Sequence, residues 1–226
     1  MESLDQKVII YDDACPMCKA YTAGFVKAGW LQHRSGFSHA DPEVINKIDL
    51  DRARHEIPLL DLQTGQVVYG LDALFLIIGA KWPVFKPLFK TSWFKKLLYP
   101  LYQIITFNRR VIAGSSAPVT GFDCAPDVNL FYRWLYIGLA TIGAFSVYWS
   151  FWQSTEPLAK GVFLLHALAP VLVLFVQKKL DFMGHWATVA LASALVAVIL
   201  PASILVKSVA ALGITAWMWW LRHNKV

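Results

Sequence analysis

Val8-Ile9-Ile10-Tyr11-Asp12-Asp13-Ala14-Cys15-Pro16-Met17-Cys18 decides how this chain is read. The apolar, β-branched run reads as a short strand and the acidic pair as a turn. Pro16 marks an early helical position, where its missing N–H costs little. The spacing therefore brings two thiols to a helix N-terminus, where the helix dipole can hold a thiolate well below its usual pKa of about 8.5. A Cys-x-x-Cys motif beside a βαβ pattern points to redox chemistry. On that reading Cys15 is the nucleophile, and Cys18, one turn further in, resolves the mixed disulfide. A soft-metal half-site, a structural pair and a chance spacing are the alternatives. One pair supplies only two of the four ligands that a structural zinc takes.

Around this stretch, residues 1–80 read as a small α/β unit. Lys7–Ile10 is expected as a strand, Pro16–Gly29 as a helix and Leu31–Phe37 as a second strand. Asp41-Pro42 starts a polar helix, since Asp followed by Pro is a helix-start signal. Ile57–Leu60 and Val67–Tyr69 flank Gln63-Thr64-Gly65 as a hairpin, and Gly70-Leu71-Asp72 opens the apolar helix Ala73–Ala80. The order β-α-β-α-β-β-α matches a thioredoxin-like fold.

The rest of the chain differs in composition. Hydrophobic residues make up 57% of the 226 positions and charged residues 16%, against roughly a quarter charged in soluble domains. Residues 1–80 carry seven Lys+Arg against eleven Asp+Glu, whereas 81–127 and 128–226 each carry seven against two. The positive balance lies beside apolar segments, so phospholipid accounts for it and nucleic acid does not. In 81–127, five lysines interleave with Trp82, Phe85, Trp93, Phe94, Leu97 and their neighbours. This pattern suits either a helix in the membrane interface or an amphipathic helix packed on the first domain. Gly114–Pro118 and Thr120-Gly121 read as loop.

Four apolar segments follow, near 130–152, 158–176, 183–200 and 202–221, each close to the roughly 20 residues a spanning helix needs. Arg109, Arg110, Arg133, Lys178, Lys179, Arg222 and Lys225 all fall on one side of a four-span arrangement, and only Lys160 and Lys207 on the other. By the positive-inside rule both termini and the thiol domain are expected in the cytoplasm, with the chain integral to the inner or plasma membrane if bacterial. Met1–Gln6 carries two acids and no apolar core, so no secretory signal is expected. Three cysteines, two of them three residues apart, do not make a secreted disulfide framework.

Tyr11-Asp12, Cys15-Pro16 and Cys18 after a first strand resemble the DCC family of predicted thiol-disulfide oxidoreductases, named for its Asp, Cys and Cys. The resemblance extends to Ile57-Pro58 before a strand, Gly70 and Asp72-Ala73 at a helix start, and Tyr102 with Asn108-Arg109. It covers about residues 7–112 and leaves the four-span region outside. Where the family usually has Gly after the motif Asp, this chain has Asp13. The resemblance implies a thioredoxin-like domain whose Pro58 corresponds to the cis-proline facing the cysteines, with Ile57 offering backbone groups to substrate. Asp12 has two readings, a capping or turn residue and a proton acceptor for Cys18. Asp72 likewise reads as an N-cap or as a partner for a substrate amine.

Weaker candidates remain. His166, with His185, reads as a packed neutral histidine or as a haem ligand. Cys124 reads as a free thiol or a modification site. No cysteine lies in the four apolar segments, so successive disulfide exchange cannot carry electrons across the bilayer through this chain. The sequence thus predicts an α/β thioredoxin-like domain (1–80), a basic aromatic connector (81–127) and an all-α transmembrane four-helix region (128–226). Its expected partners are a thiol or disulfide substrate, the lipid bilayer and a membrane protein, with no metal or cofactor. A soft-metal handling module and a non-catalytic scaffold are the competing functions.

Overall fold

The structure is a computed structural model and describes residues 4–115, 123–177 and 180–223. Met1–Ser3, the loop positions 116–121, the Lys178-Lys179 pair and Lys225 fall outside them. The chain is mostly helical with one small mixed sheet, and it divides into two compact units, Met1–Val128 and Asn129–Val226.

In the first unit β1 (Lys7–Tyr11) leads through α1 (Pro16–Lys27) to β2 (His33–Gly36). β3 (Pro58–Asp61) and β4 (Val67–Tyr69) form the hairpin, and α4 (Gly70–Lys81) follows two short helices, α2 (Pro42–Ile45) and α3 (Leu50–Ala53). The strand order is β2-β1-β3-β4. β1 runs parallel to β2 and antiparallel to β3, which is antiparallel to β4.

Strand alternation assigns the apolar run to two cores. Val8 and Ile10 join Leu60, Phe37, Ile48 and Ala53 on one face. Ile9 joins Leu59, Leu31, Ala73 and Ile77 on the other, with Phe25 and Val26 of α1 packed against them. A strand covered on both sides must be apolar at every position, which is why Val8-Ile9-Ile10 shows no alternation. Lys7 faces Asp61 across the β1–β3 ladder and its ammonium lies 2.7 Å from the carboxylate. Asp61 also accepts the backbone N–H groups of Gln63 and Thr64, which fixes the hairpin turn.

Several boundaries differ from expectation. Leu31 and Phe37 are core residues flanking β2 rather than members of it. The polar helix after Asp41 is two single turns, because Asp41 and Asp49 each cap their own, accepting from Glu43 N and Arg52 N. Gly70, with φ of +61°, makes the step from β4 into the helix, so α4 starts earlier than Ala73.

The connector forms α5 (Lys86–Lys90) and the long α6 (Ser92–Ala113). On α6 the buried positions are Gln103, Thr106, Asn108 and Val111. Trp93, Leu97, Leu101 and Ile105, each four residues apart, are exposed, Leu97 to 64%. α6 thus packs a largely polar face on the domain and leaves an apolar stripe outward.

The second unit comprises α7 (Leu130–Trp152), α8 (Pro157–Gln177), α9 (Leu180–Ile199) and α10 (Ile204–His223). α7, α9 and α10 are long and apolar enough to cross a membrane, and α8 contributes a shorter apolar stretch, Pro157–Pro170. Ala140, Ala144, Ala159, Ala190, Ala194, Ala197 and Ala211 are buried, while Ile142, Leu195, Val198 and Trp217 are exposed. Small residues inside and large apolar ones outside are the arrangement of helices packed in lipid. Hydrogen bonds of 2.7 Å join Tyr136 to Thr188 and Tyr148 to Ser193, tying α7 to α9.

Candidate functional site

Cys15 is the N-cap of α1, Pro16 its first residue, and Cys18 sits in its first turn. The Cys18 backbone N–H donates to Cys15 Sγ at 3.3 Å. A sulfur therefore occupies the place of the usual Ser or Asp cap oxygen, which favours its charged form. All three cysteines are free thiols. Cys15 is only 1% and Cys18 3% exposed.

The hydrogen bond from the Cys18 thiol lowers the Cys15 pKa to about 7, against opposition from burial. The Cys18 N–H and the Arg109 guanidinium help, while Asp12 acts against it. The Cys18 pKa is pushed up by that same bond to Cys15, by burial and by the neighbouring negative charge. One thiol is thus readily ionised and its partner stays protonated.

Asp12 serves the turn first, as Oδ1 accepts the Ala14 N–H at 3.0 Å. Its Oδ2 lies 3.3 Å from Arg109 Nη2 in a largely buried ion pair. Asp12, Cys18, Arg109, Pro58, Tyr21 and Cys124 line one small cavity of about 10 Å³. Asp12 therefore borders the Cys18 thiol while acting as a turn residue. Asp13 reaches across to the turn that follows β2. Its carboxylate accepts from Ser38 N at 3.1 Å and Ser38 Oγ at 2.9 Å and contacts His39 Nδ1 at 3.2 Å. Burial works to raise its pKa, but these hydrogen bonds outweigh it and hold the carboxyl below the ordinary range. Gly36 makes the room, since a Cβ there would meet Asp13 Oδ2 at 2.6 Å.

Three expectations need correction. Among the described residues no peptide bond is cis, so Ile57–Pro58 is trans, although Pro58 does reach the cavity beside Cys18. The Ile57 backbone is not open to a substrate: its N–H donates to Tyr102 Oη at 3.3 Å and its carbonyl accepts from Gly70 N at 2.9 Å. Asp72 is not a cap. Tyr69 holds that position, and Asp72, in the first turn, lies 2.5 Å from Lys95 Nζ.

Two residues whose place beside the cysteines the sequence did not indicate belong to the site. Among the described residues Arg109 brings the only guanidinium beside both Asp12 and the cavity. Cys124 is buried in the core face of Val8, Ile10 and Leu60. Burial foremost, with Asp12 adding to it, pushes its thiol pKa up. Arg109 donates to the Cys124 carbonyl, Arg54 to the Ala125 carbonyl, and Arg110 pairs with Asp123, so arginines pin this segment. Among the described residues no group of three His, Cys, Asp or Glu side chains is arranged to hold a metal ion. No protein-family model matches the chain, and no curated protein or solved structure resembles it significantly.

Proposed function

We propose that this protein is a membrane-anchored thiol-disulfide oxidoreductase of the DCC type, with a thioredoxin-like first unit. The observation that carries the reading is Cys15 as the N-cap of α1, ionising near pH 7 beside a protonated Cys18. The strand order β2-β1-β3-β4, with α1 leading from β1 to its parallel neighbour, supports the thioredoxin-like assignment.

The Cys15 thiolate attacks one sulfur of a substrate disulfide, forming a mixed disulfide and releasing the other sulfur as a thiolate that takes a proton from water. Cys18 then loses its proton and attacks Cys15 Sγ, which expels the second substrate thiolate. The substrate gains two electrons, and the Cys15–Cys18 dithiol becomes a disulfide. Asp12, which shares the cavity wall with Cys18, is the carboxylate that takes the Cys18 proton. A second thiol couple, run through the same exchange, restores the dithiol.

α8 serves as a fourth crossing in this reading, and the excess of cations on one side of a four-span arrangement favours a cytoplasmic location for both termini. The deciding experiment equilibrates the protein in native membranes with defined thiol buffers, alkylates differentially and reads Cys15 and Cys18 by mass spectrometry. A reversible two-electron couple within about −270 to −120 mV is expected. If the two thiols pair at no potential, the enzyme reading fails.

A further inference from the structure

The second unit encloses a cavity of about 120 Å³ whose walls include Ala144, Tyr148, Phe163, His166, Trp186 and Ala190. Ala144 and Ala190 leave the space, and the aromatic rings bound it. Nearly all the polar groups around it are already satisfied within the protein. His166 Nδ1 lies 2.8 Å from the Val162 carbonyl, which can only accept, so Nδ1 carries the proton. His166 Nε2 is then the acceptor, with Thr215 Oγ1 at 3.1 Å and Ser193 Oγ at 3.4 Å, and Ser193 in turn meets Tyr148 Oη at 2.7 Å. Both histidine nitrogens are engaged, which argues against the haem-ligand reading of this residue. The Tyr148 ring stacks on the imidazole with centroids 4.4 Å apart.

Trp186 is the exception. It is 8% exposed, and its buried indole N–H has no hydrogen-bond partner among the described residues. A buried donor without a partner is costly, and an acceptor that reached the indole from the cavity that Trp186 lines would relieve that cost. Water does not fit this need, because a buried water requires two to four polar partners and the cavity is mostly apolar. A bare acyl chain would leave the N–H unpaired. The volume is close to the about 150 Å³ in which an engineered apolar cavity holds one benzene ring. The helices that carry these walls include α7 and α9, both apolar enough to cross a membrane, so the occupant is lipid-soluble.

We infer that this cavity is a binding site for a membrane quinone, whose ring lies among Tyr148, Phe163 and His166 and whose carbonyl oxygen accepts the Trp186 N–H. The inference is independent of the thiol site and stands or falls without it.

The test uses the full chain purified in detergent and a photoreactive azido-benzoquinone with a decyl tail. The expected result is saturable labelling of about one probe per chain, mapped by mass spectrometry to peptides of α7, α8 or α9 and displaced by decylubiquinone. Ala144→Phe, which fills the cavity, abolishes that labelling. Trp186→Phe, which keeps a ring and removes the donor, weakens binding about tenfold, the worth of one hydrogen bond. Labelling that does not saturate, maps elsewhere or persists in Ala144→Phe overturns the site. Wild-type affinity in a Trp186→Phe protein that elutes like wild type overturns the Trp186–carbonyl contact on which the quinone assignment rests.

Discussion

Cys15 sits between two opposed charges. Arg109 draws its proton off and Asp12 holds it on, while the two are themselves paired at 3.3 Å. Replacing either one therefore shifts the thiol in a defined direction. Arg109→Met should move the Cys15 ionisation up from about 7, and Asp12→Asn should move it down, as read from the pH dependence of iodoacetamide alkylation followed by mass spectrometry. Equal midpoints in both variants would show that neither charge acts on the sulfur. Wild-type alkylation should fall off as pH drops below about 7, because the reactive thiolate is lost by protonation there. Gly36 permits a second residue-scale test. Gly36→Ala places a methyl group against both the Asp13 carboxylate and its Cβ, the latter at 2.9 Å. The variant should lose stability by about 1–3 kcal/mol, the range for overpacking. An unchanged thermal midpoint would show that the turn accommodates the methyl group freely.

The positions of Cys15, Pro16 and Cys18 were legible because strand, turn and helix start are local signals a few residues long. Asp72 was misjudged because Gly70 takes a positive φ and begins the helix three residues sooner than Ala73. Arg109 and Cys124 carried no local signal for a role, since packing alone brings them to the cysteines. A partial signal did exist at the level of the element. Trp93, Leu97, Leu101 and Ile105 recur at a spacing of four, which leaves Gln103, Thr106 and the Asn108-Arg109 pair on the inward side of α6. α6 packs its Gln103, Thr106, Asn108 and Val111 side inward, as the reading of an amphipathic helix on the first domain has it, and the apolar stripe on its outer side is the feature on which the membrane-interface reading rests. If that stripe meets lipid, brominated phospholipids should quench Trp93, and Trp93→Phe should remove a measurable share of the quenching in proteoliposomes. Tyr102 joins α6 to Ile57, the residue that leads into β3. Tyr102→Phe leaves the Ile57 N–H without its partner and should cost about 1–3 kcal/mol in thermal or denaturant unfolding.

At the scale of the molecule, the composition break between a stretch rich in charged residues up to about 127 and an apolar remainder was legible from residue counts, and the two compact units follow it closely. The number of crossings was less so. Three helices satisfy length and hydropathy among the described residues, and α8 is apolar over a shorter stretch. Parity turns that difference into an experiment. Four crossings put both ends of the chain on one side, and three put them on opposite sides. A reporter fluorescent only in the cytoplasm, fused after Val226, should light up alongside a cytoplasmic thiol domain; a dark reporter would remove α8 from the count.

The same helix that turns Arg109 inward turns Trp93, Leu97, Leu101 and Ile105 outward. A rigid helix cannot shift one side without the other. The acidity of Cys15 and the outward stripe thus share one support: a change that drew α6 off the domain would carry Arg109 away from Asp12 and the thiols, and the Cys15 sulfur would lose that cation's help toward ionisation.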